Sequence, residues 1–290
     1  MAENTTGAVS AFEKAEAELH RSRQRRTVIC VIVFILAVAG SCYIGEVSVT
    51  QFVDGLPGLF SYMRDIMPTV HAHTMTADLN AWYWGLGKWL ALLWDTLIMA
   101  FLGTLIGSMG AFLICFPASR NLMGNYPVYF LCRRLMELAR GVPDLVYALI
   151  FVFSFGLGPL PGVLAMAIHS VGALGKLFSE VNENVNPMPI DGVKAAGGNW
   201  FQIIRYAVLP QVLPNFISYA LLRFEINVRA ASVIGFVGAG GIGQELMFVI
   251  RQFIYQDISA IVLLIIAIVI LIDVSCEALR HRIIGTQALL

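Results

Sequence analysis

Charged side chains are scarce in this sequence. Asp, Glu, Lys and Arg make up 13% of the 290 residues, whereas hydrophobic residues make up 58%. A soluble globular domain carries about 25% charged residues, so this chain has too few charges to cover a surface that faces water. The formal net charge of zero also makes nucleic acid a poor partner. The sequence therefore predicts a protein for which membrane lipid is a large part of the solvent.

Two other patterns are missing as well. The alternation of apolar and polar residues that marks an outer-membrane barrel is absent, because the apolar runs are long and continuous. That leaves helices, which satisfy every backbone N–H and C=O group within the segment. The five cysteines show no C-x-x-C spacing and the five histidines are scattered, so we expect no disulfide framework and no bound metal.

Six stretches are long and apolar enough to be membrane spans, since about 20 residues are needed to cross the hydrocarbon core. The predicted spans are residues 27–45, 90–115, 127–153, 161–180, 209–236 and 257–277. Pro143 interrupts the third, and its first half carries arginines. We expect that half to protrude into the cytoplasm and the remainder, from about Leu145, to be embedded. The predicted fold class is all-α and integral to the membrane, with about six transmembrane helices.

Lysine and arginine predict the orientation, because cytoplasmic loops carry an excess of both. With the N-terminus inside, the cytoplasmic face receives Arg21, Arg23, Arg25, Arg26, Arg120, Arg133, Arg134, Lys194, Arg205, Arg280 and Arg282. The external face receives Arg64, Lys88 and Arg251. Both termini are therefore predicted to be cytoplasmic in a bacterial inner membrane. The predicted organisation is a cytoplasmic helix at 1–26, the first span, an external segment at 46–89, a transmembrane domain at 90–280 and a cytoplasmic tail at 281–290.

A polar stretch of about residues 181–208 separates the fourth and fifth spans on the predicted cytoplasmic side. Its prolines, a short alanine-containing helix, a glycine break and an amphipathic segment predict a helix–turn–helix along the membrane surface. It resembles the coupling loop of ABC importer permeases, in which a Glu-Ala-Ala sequence precedes a turn glycine and a later Leu-Pro pair. Asp191 stands where the family has Glu. The residues assigned to coupling are Asp191, Ala195, Ala196, Gly197, Trp200, Leu209 and Pro210.

Four further stretches resemble permeases of phosphonate ABC importers. They begin at Gly156, His169, Arg223 and Val237. The resemblance implies a type I permease core of five helices plus one N-terminal helix, working as a homodimer. It also implies an extracytoplasmic binding protein that delivers phosphonate or a related oxyanion, phosphate or phosphite. A cytoplasmic ATPase dimer would dock on the coupling loop and bind ATP and Mg. The sequence has no P-loop motif, so we expect no cofactor and no enzyme activity in this chain.

The fifth predicted span contains Arg223, Glu225 and Arg229. A charged side chain in the bilayer centre costs about 2.5–3.5 kcal/mol on insertion scales. Such a residue is therefore expected to have a structural or a functional role. Glu225 and Arg229 are four residues apart and can neutralise one another. The residues either fix helix packing or line a pathway, where the arginine fork suits a phosphonate or phosphate oxyanion. His169 and Ser170 of the fourth span have the same two interpretations, pathway or interior packing.

A glycine-rich segment follows the fifth span. Gly238, Gly240 and Gly243 match the spacing of a dinucleotide-binding fingerprint. That fingerprint requires a preceding strand, and here an apolar helix precedes it. We expect a tight external turn near the mouth of the pathway, whose stacked N–H groups could meet an anion. The candidates for an external gate are Gly238, Gly240, Gly241 and Gly243.

Two other functions are open alternatives. An ion-coupled secondary transporter would have acidic residues deep in its spans and pseudo-symmetric halves, and neither is evident in the sequence. A membrane enzyme would need a convergent set of a nucleophile and a base, or metal ligands, and the sequence shows no such set. Neither alternative explains the loop at about residues 181–208.

Overall fold

The structure is a computed structural model that describes residues 2–46, 48–68 and 73–285. The regular elements within these ranges are all helices. The chain divides into two compact units, Met1–Arg64 and Asp65–Leu290. The first unit contains α1 (Ala2–Ile44) and most of α2 (Val49–Ile66). The helices of the second unit are α3 (Met75–Trp82), α4 (Leu86–Cys115), α5 (Tyr126–Gly141), α6 (Asp144–Phe155), α7 (Pro159–Glu183), α8 (Pro187–Ala195), α9 (Trp200–Gln202), α10 (Leu209–Ile234), α11 (Gly241–Arg251) and α12 (Tyr255–Gly285).

The first unit is built on one long helix. α1 has 43 residues, and its part from His20 to Ile44 is long and apolar enough to cross a membrane. Neither glycine nor proline occurs between residues 8 and 39, so the predicted N-terminal helix and the predicted first span join without a break. The sequence predicts that segment 46–89 is external and predicts no helix within it. The structure places α2 and α3 there.

The membrane spans number six when bent helices are counted as single spans. In the described residues, the helices that qualify alone are His20–Ile44, Leu86–Cys115, Pro159–Glu183 and Tyr255–Ile283. Two more qualify as pairs: α5 with α6, bent by 85°, and Trp200–Val237 with α11, bent by 47°. The prediction of about six spans is confirmed by length and composition.

The third span is broken between its two helices. Val142 has an extended backbone, with φ −92° and ψ 128°, because the residue before a proline is disfavoured in the helical region. Pro143 also has no N–H to donate to a helix. The Asp144 carboxylate accepts a hydrogen bond of 3.0 Å from the N–H of Leu145 in the first turn of α6. The predicted interruption at Pro143 is confirmed.

Small residues let α4 and α7 approach closely. Gly103 and Gly107 form a G-x-x-x-G pattern, and a Cβ at Gly103 would lie 2.8 Å from the Cβ of Met166. A Cβ at Gly107 would overlap the side chain of Ser170. Helices in lipid associate through such faces because van der Waals packing replaces the hydrophobic effect. The contact holds the fully buried Ser170 against α4.

A helix and a tight turn connect α7 with α10. α8 ends at Ala195, and Gly197 makes the turn with a φ of +82°. Asn199 and Gln202 then form a capping box that begins α9. The predicted short helix, glycine break and second helix are all present.

The second of these helices differs from the prediction in one respect. α9 continues through a π-helical segment, Ile203–Val208, directly into α10. Pro210 has no N–H to donate to the helix, so the regular hydrogen-bond pattern is interrupted near it. A π-helical turn is one of the local irregularities that occur inside α-helices. Trp200–Val208 is therefore continuous with the helix of the fifth predicted span. A position of the helix–turn–helix along the membrane surface stays a prediction.

The second unit has a packed core at each end. At one end, α8 and the π-helical segment pack on α4 and α7, and Phe178 stacks on Phe216 with ring centroids 4.0 Å apart. At the other end, α11 packs on the beginnings of α4 and α12 around Trp89 and Ile242. We call these the α8 end and the α11 end.

Candidate functional site

A buried polar cluster lies where α4, α7 and α10 meet. It consists of Thr104, His169, Ser170, Arg223 and Asn227, and we call it the Arg223 cluster. Nε of Arg223 donates to Oγ of Ser170 at 2.9 Å, and its NH2 group donates to Nδ1 of His169 at 2.6 Å. Nδ2 of Asn227 donates to Thr104 Oγ1 at 2.8 Å and to Ser170 Oγ at 3.1 Å. The structure thus brings the predicted pathway residues Arg223, His169 and Ser170 together.

The ring of His169 accepts a hydrogen bond from Arg223. Because arginine has no hydrogen-bond acceptor, Nδ1 must accept this bond and carries no proton. The proton of the neutral ring is then on Nε2. A neutral imidazole therefore joins α7 to α10.

Arg223 is a buried cation whose hydrogen-bond acceptors are both neutral. The residue is 8% exposed. No carboxylate of the described residues lies within 4.0 Å of its guanidinium. A charge inside a span is energetically costly and usually marks the path of an ion or substrate. Arg223 is therefore the best candidate for a functional charge in this bundle.

Glu225 and Arg229 do not pair with each other, so that prediction is wrong. Oε1 of Glu225 accepts from Arg280 at 3.2 Å. The NH2 group of Arg229 contacts both carboxylate oxygens of Asp273 at 2.7 Å. Both partners lie on α12, which packs along α10. A pair within one helix stabilises by only about 0.2–0.5 kcal/mol, and charge-assisted bonds to a neighbouring helix are stronger.

α10 therefore carries two different polar faces. Arg223 and Asn227 face α4 and α7, whereas Glu225 and Arg229 face α12. Glu225 is buried in its ion pair, and the Arg229 side chain is 49% exposed. The face towards α12 is neutralised by ion pairs that fix the two helices, and the face towards α7 presents a cation without an ionic partner. The structure separates Arg223 from the other two charged pathway candidates.

Part of the predicted coupling set is open to contact at the α8 end. The exposed members are Asp191, Ala195, Ala196 and Gly197. The Asp191 side chain is 72% exposed and lies 3.9 Å from Lys194. Ile190 is the buried residue of α8. Most of the surface of this helix is therefore accessible.

Trp200, Leu209 and Pro210 are placed differently. Nε1 of Trp200 donates to a backbone carbonyl in the turn after α4 at 3.0 Å, and its ring packs on the core at the α8 end. Leu209 packs on the same core, and Pro210 stands at the start of α10. These residues anchor the loop. The exposed apolar side chains beside α8 are Met188, 77% exposed, and Phe201, 74% exposed, and the sequence pattern does not assign them to coupling.

The glycine-rich segment forms a tight turn between α10 and α11, as predicted. The positive φ angles in it are those of Gly238, Gly240 and Gly241. Residues with a Cβ adopt such angles at a cost. A Cβ at Gly243 would overlap the backbone carbonyl of Ser232. Glycine is therefore required here by conformation and by close packing.

A second glycine-containing loop, between α6 and α7, contacts this turn. The N–H of Gly158 donates to the carbonyl of Gly238 at 3.0 Å. The buried N–H of Ile242 donates to Thr96 Oγ1 at 2.9 Å. These groups are satisfied within the chain and join three helices at the α11 end. A role of the glycines as an external gate stays a prediction.

Two members of the Arg223 cluster are not predicted by the sequence pattern. Thr104 follows Gly103 on the small-residue face of α4, which is a signal of close helix packing. Asn227 is four residues after Arg223, so it shares a face of α10 with the arginine. The G-x-x-x-G pattern and the four-residue spacing are the signals that could have found them.

Comparisons with known proteins identify the family of this chain. The family model of binding-protein-dependent transport system inner membrane components matches residues 103–284. That range contains the Arg223 cluster, α8 and the glycine turn. The chain belongs to this family. It is thus a multi-pass inner-membrane permease component of an ABC importer.

Two relatives are informative. The phosphite transport system permease protein PtxC of Stutzerimonas stutzeri is 39% identical over 251 residues, which cover 87% of each chain. The putative cryptic phosphonate transport system permease protein PhnE2 of Escherichia coli K12 is 49% identical over 122 residues, which are 42% of this chain and 100% of that one. Both relatives are transport permease proteins by name.

A solved structure supports the fold. The inward-facing MetNI methionine ABC transporter matches with a TM-score of 0.58 and 18% identity, covering 67% of this chain and 95% of that chain. At this identity the likeness concerns the fold alone. The predicted all-α fold of a type I ABC importer permease is confirmed.

Proposed function

We propose that this permease imports a phosphorus oxyanion, namely phosphite, phosphonate or phosphate. The observation that carries the proposal is Arg223, a buried cation near the middle of α10 with neutral partners. The planar guanidinium fork matches the oxygens of such an anion. The names of PtxC and PhnE2 point to the same class of solute.

The neutral partners of Arg223 suit a transporter. His169 and Ser170 accept hydrogen bonds from the guanidinium when no anion is present. When an oxyanion arrives, Arg223 exchanges these two neutral acceptors for charged oxygens. Such an exchange yields a smaller gain than the pairing of a bare arginine would, because the hydrogen bonds it replaces are already made. The solute is then held briefly and released. Ser170 is kept in place by Asn227 and by the close contact with α4.

In the proposed orientation the α8 end faces the cytoplasm and both termini are cytoplasmic. The lysines and arginines at or near the α8 end include Arg120, Arg133, Arg134, Lys176, Lys194, Arg205, Arg280 and Arg282. Those at the α11 end are Lys88 and Arg251. Cytoplasmic loops carry the excess of positive charge. This distribution supports the orientation.

The proposed contact with the motor is α8. A dimer of cytoplasmic ATP-binding subunits, which would bind the ATP and Mg, docks on the exposed surface around Asp191 and on the uncovered side chains of Met188 and Phe201. Exposed apolar side chains beside charged ones are typical of interaction sites. Because Trp200 starts a helix that continues to Arg223 and beyond, a displacement of the docked end can move the arginine as part of one rigid element.

The remaining partners follow from the family. Two copies of this chain would form the pathway between them, and an extracytoplasmic binding protein would deliver the oxyanion at the α11 end. The family description itself names dependence on a binding protein. We infer that the turn at Gly238–Gly243 lies beside the mouth of the pathway, because it closes the α11 end of the helix that carries Arg223.

The test is to purify the chain with its co-expressed ATPase and binding protein, reconstitute the complex in lipid vesicles and measure ATP hydrolysis with single anions. We expect phosphite, methylphosphonate or phosphate to stimulate hydrolysis and to accumulate in the vesicles, and sulfate to do neither. Stimulation by none of the phosphorus oxyanions would contradict the proposed substrate. Uptake by the chain alone, driven by an ion gradient, would favour the secondary transporter.

A further inference from the structure

A cavity of about 420 Å³ lies at the α11 end, between α11 and the turn that follows α10. Gln244, Phe248 and Arg251 line it from α11, whereas Phe236 lines it from the turn and Leu157 from the loop after α6. Small-molecule sites commonly have volumes of about 300–1,000 Å³. No residue of the Arg223 cluster lines this cavity, so it is a separate candidate for a ligand site.

α11 turns one face towards the core and another towards the cavity. Ile242 and Leu246 are buried and pack on α4 and α12. Gln244, Phe248 and Arg251 are exposed, and their spacings of four and three residues place them on one face of the helix. An amide, an aromatic ring and a cation therefore line the same wall of the cavity.

Close packing fixes the walls of the cavity relative to one another. A Cβ at Gly235, directly after α10, would lie 2.6 Å from the backbone N of Gln244, so the turn approaches α11 closely at a glycine. The N–H of Gly158 donates to the carbonyl of Gly238 at 3.0 Å, which joins the loop after α6 to the turn. The shape of the cavity is therefore set by contacts between three parts of the chain.

The charges at this end leave Arg251 as the available cation. Lys88 pairs with Glu245 at 2.6 Å, so these two charges neutralise each other. No carboxylate of the described residues lies within 4.0 Å of the Arg251 guanidinium. The Gln244 amide supplies two more N–H donors on the same wall, and no described residue accepts a hydrogen bond from it. A planar guanidinium beside an amide is a donor set that suits an oxyanion.

We propose that this cavity is an entry site for an organophosphonate. The oxygens of the ligand bind the Arg251 guanidinium, with the Gln244 amide as a further donor, and its organic group packs on the exposed rings of Phe236 and Phe248. The inference rests on the function and the orientation proposed above, and it narrows the substrate class. Inorganic phosphate and phosphite contain no carbon group that could be buried against these rings. An alkyl- or arylphosphonate has both the oxyanion and the apolar part.

An entry site of this kind is suited to transport because it holds its ligand weakly. Arg251 is exposed, so water and salt screen its charge and the anion is released readily. A cation at the mouth of a pathway still raises the local concentration of anions and their rate of arrival. The turn that forms the other wall follows the helix that carries Arg223, so the cavity lies at the α11 end of that helix.

The test measures the binding of phenylphosphonate to the purified complex of permease and ATPase subunits, without binding protein. Radiolabelled phenylphosphonate and radiolabelled phosphate are compared by equilibrium dialysis. The measurement is made on the unmodified complex and on the Arg223→Gln complex, in which the buried cluster has lost its cation. In both complexes we expect Arg251→Gln to weaken phenylphosphonate binding about tenfold, because a charge-assisted contact is lost.

A second variant tests the apolar wall. Phe248→Ala should weaken phenylphosphonate binding about fivefold, as the loss of one aromatic contact predicts, and should leave phosphate binding unchanged. The matched control is Lys88→Gln combined with Glu245→Gln, which removes the neutral ion pair at the same end. This control should leave the binding of both anions unchanged. Thermal unfolding of every complex is measured in parallel, and Gln244→Ala provides a further test of the donors if the Arg251→Gln complex does not assemble.

Equal phenylphosphonate binding in the unmodified, Arg251→Gln and Phe248→Ala complexes would overturn the inference. Phosphate bound as tightly as phenylphosphonate would also overturn it, since the rings would then select nothing. A loss of binding-protein affinity in Arg251→Gln, with unchanged phenylphosphonate binding, would assign the cavity to contact with that protein instead.

The failure of the proposed function is a separate result, in which the unmodified complex transports no phosphorus oxyanion. If the complex transports phosphate or phosphite and the cavity binds no phenylphosphonate, only the entry site is refuted.

Discussion

The guanidinium of Arg223 donates a hydrogen bond of 2.6 Å to Nδ1 of His169. The same group donates from Nε to the neighbouring Ser170, so one planar fork spans two successive residues of α7. A lysine ammonium is a point charge on a flexible stem and cannot reproduce this geometry. The shape of the arginine, and not only its charge, is therefore built into the site.

Arg223→Lys should impair transport strongly although it keeps the charge. Hydrogen bonds to charged groups are worth about 1.5–3 kcal/mol each, and the lysine loses the fork that the oxyanion would use. We expect the transport rate in vesicles to fall by about tenfold or more, with the complex still assembled. The matched control is Arg229→Lys, whose side chain is half-exposed and pairs with Asp273. A similar loss in both variants would argue against a special role for Arg223.

Gly107→Ala should destabilise the bundle. The new Cβ would overlap the side chain of Ser170, and overpacking of a tight interface costs about 1–3 kcal/mol. The expected result is a lower thermal unfolding temperature of the purified complex, together with slower transport because Ser170 holds Arg223. Gly87→Ala on the same helix is the control, since nothing lies within 4 Å of that position. Equal stability of the two variants would refute the close α4–α7 contact.

The features that the sequence predicted correctly depend on neighbours along the chain. A run of apolar residues is long enough to span lipid whatever surrounds it. Val142 and Pro143 break a helix through their own backbone geometry. Gly197 makes its turn because a glycine adopts positive φ without strain. In each case the cause lies within a few residues, so the sequence was sufficient.

The pairing that it predicted wrongly, and the contacts that it did not predict, depend on distant parts of the chain. The spacing of Glu225 and Arg229 is compatible with a mutual ion pair, but α12 offers each of them another partner. Trp200 donates to a backbone carbonyl in the turn after α4, a partner that its place in the loop does not indicate. No local pattern contains this information.

Asp191→Lys should uncouple the permease from its ATPase without unfolding it. The side chain is 72% exposed, so the substitution costs little within the chain, whereas a charge reversal at a docking surface is repulsive to the partner. We expect the stimulation of ATP hydrolysis by the transported anion to be lost and the unfolding temperature of the complex to stay the same. Trp200→Ala should do the opposite and lower the unfolding temperature, because it removes a packed ring and its hydrogen bond. Normal coupling in Asp191→Lys would contradict the docking of α8.

The ion pair between Arg229 and Asp273 gives a direct test of the corrected partners of α10. Arg229→Asp and Asp273→Arg each place two like charges together, and each should lower the stability of the complex by about 1–3 kcal/mol. The double variant restores an opposite pair and should recover more than half of the loss. Arg229→Ala combined with Glu225→Gln should show a smaller coupling energy than positions 229 and 273, since Glu225 forms its ion pair with Arg280. Thermal unfolding of the single and double variants of each pair, beside the unmodified complex, separates the two arrangements. Strong coupling between positions 225 and 229, with none between 229 and 273, would restore the pairing within α10. It would also remove the distinction between the two polar faces on which the role of Arg223 depends.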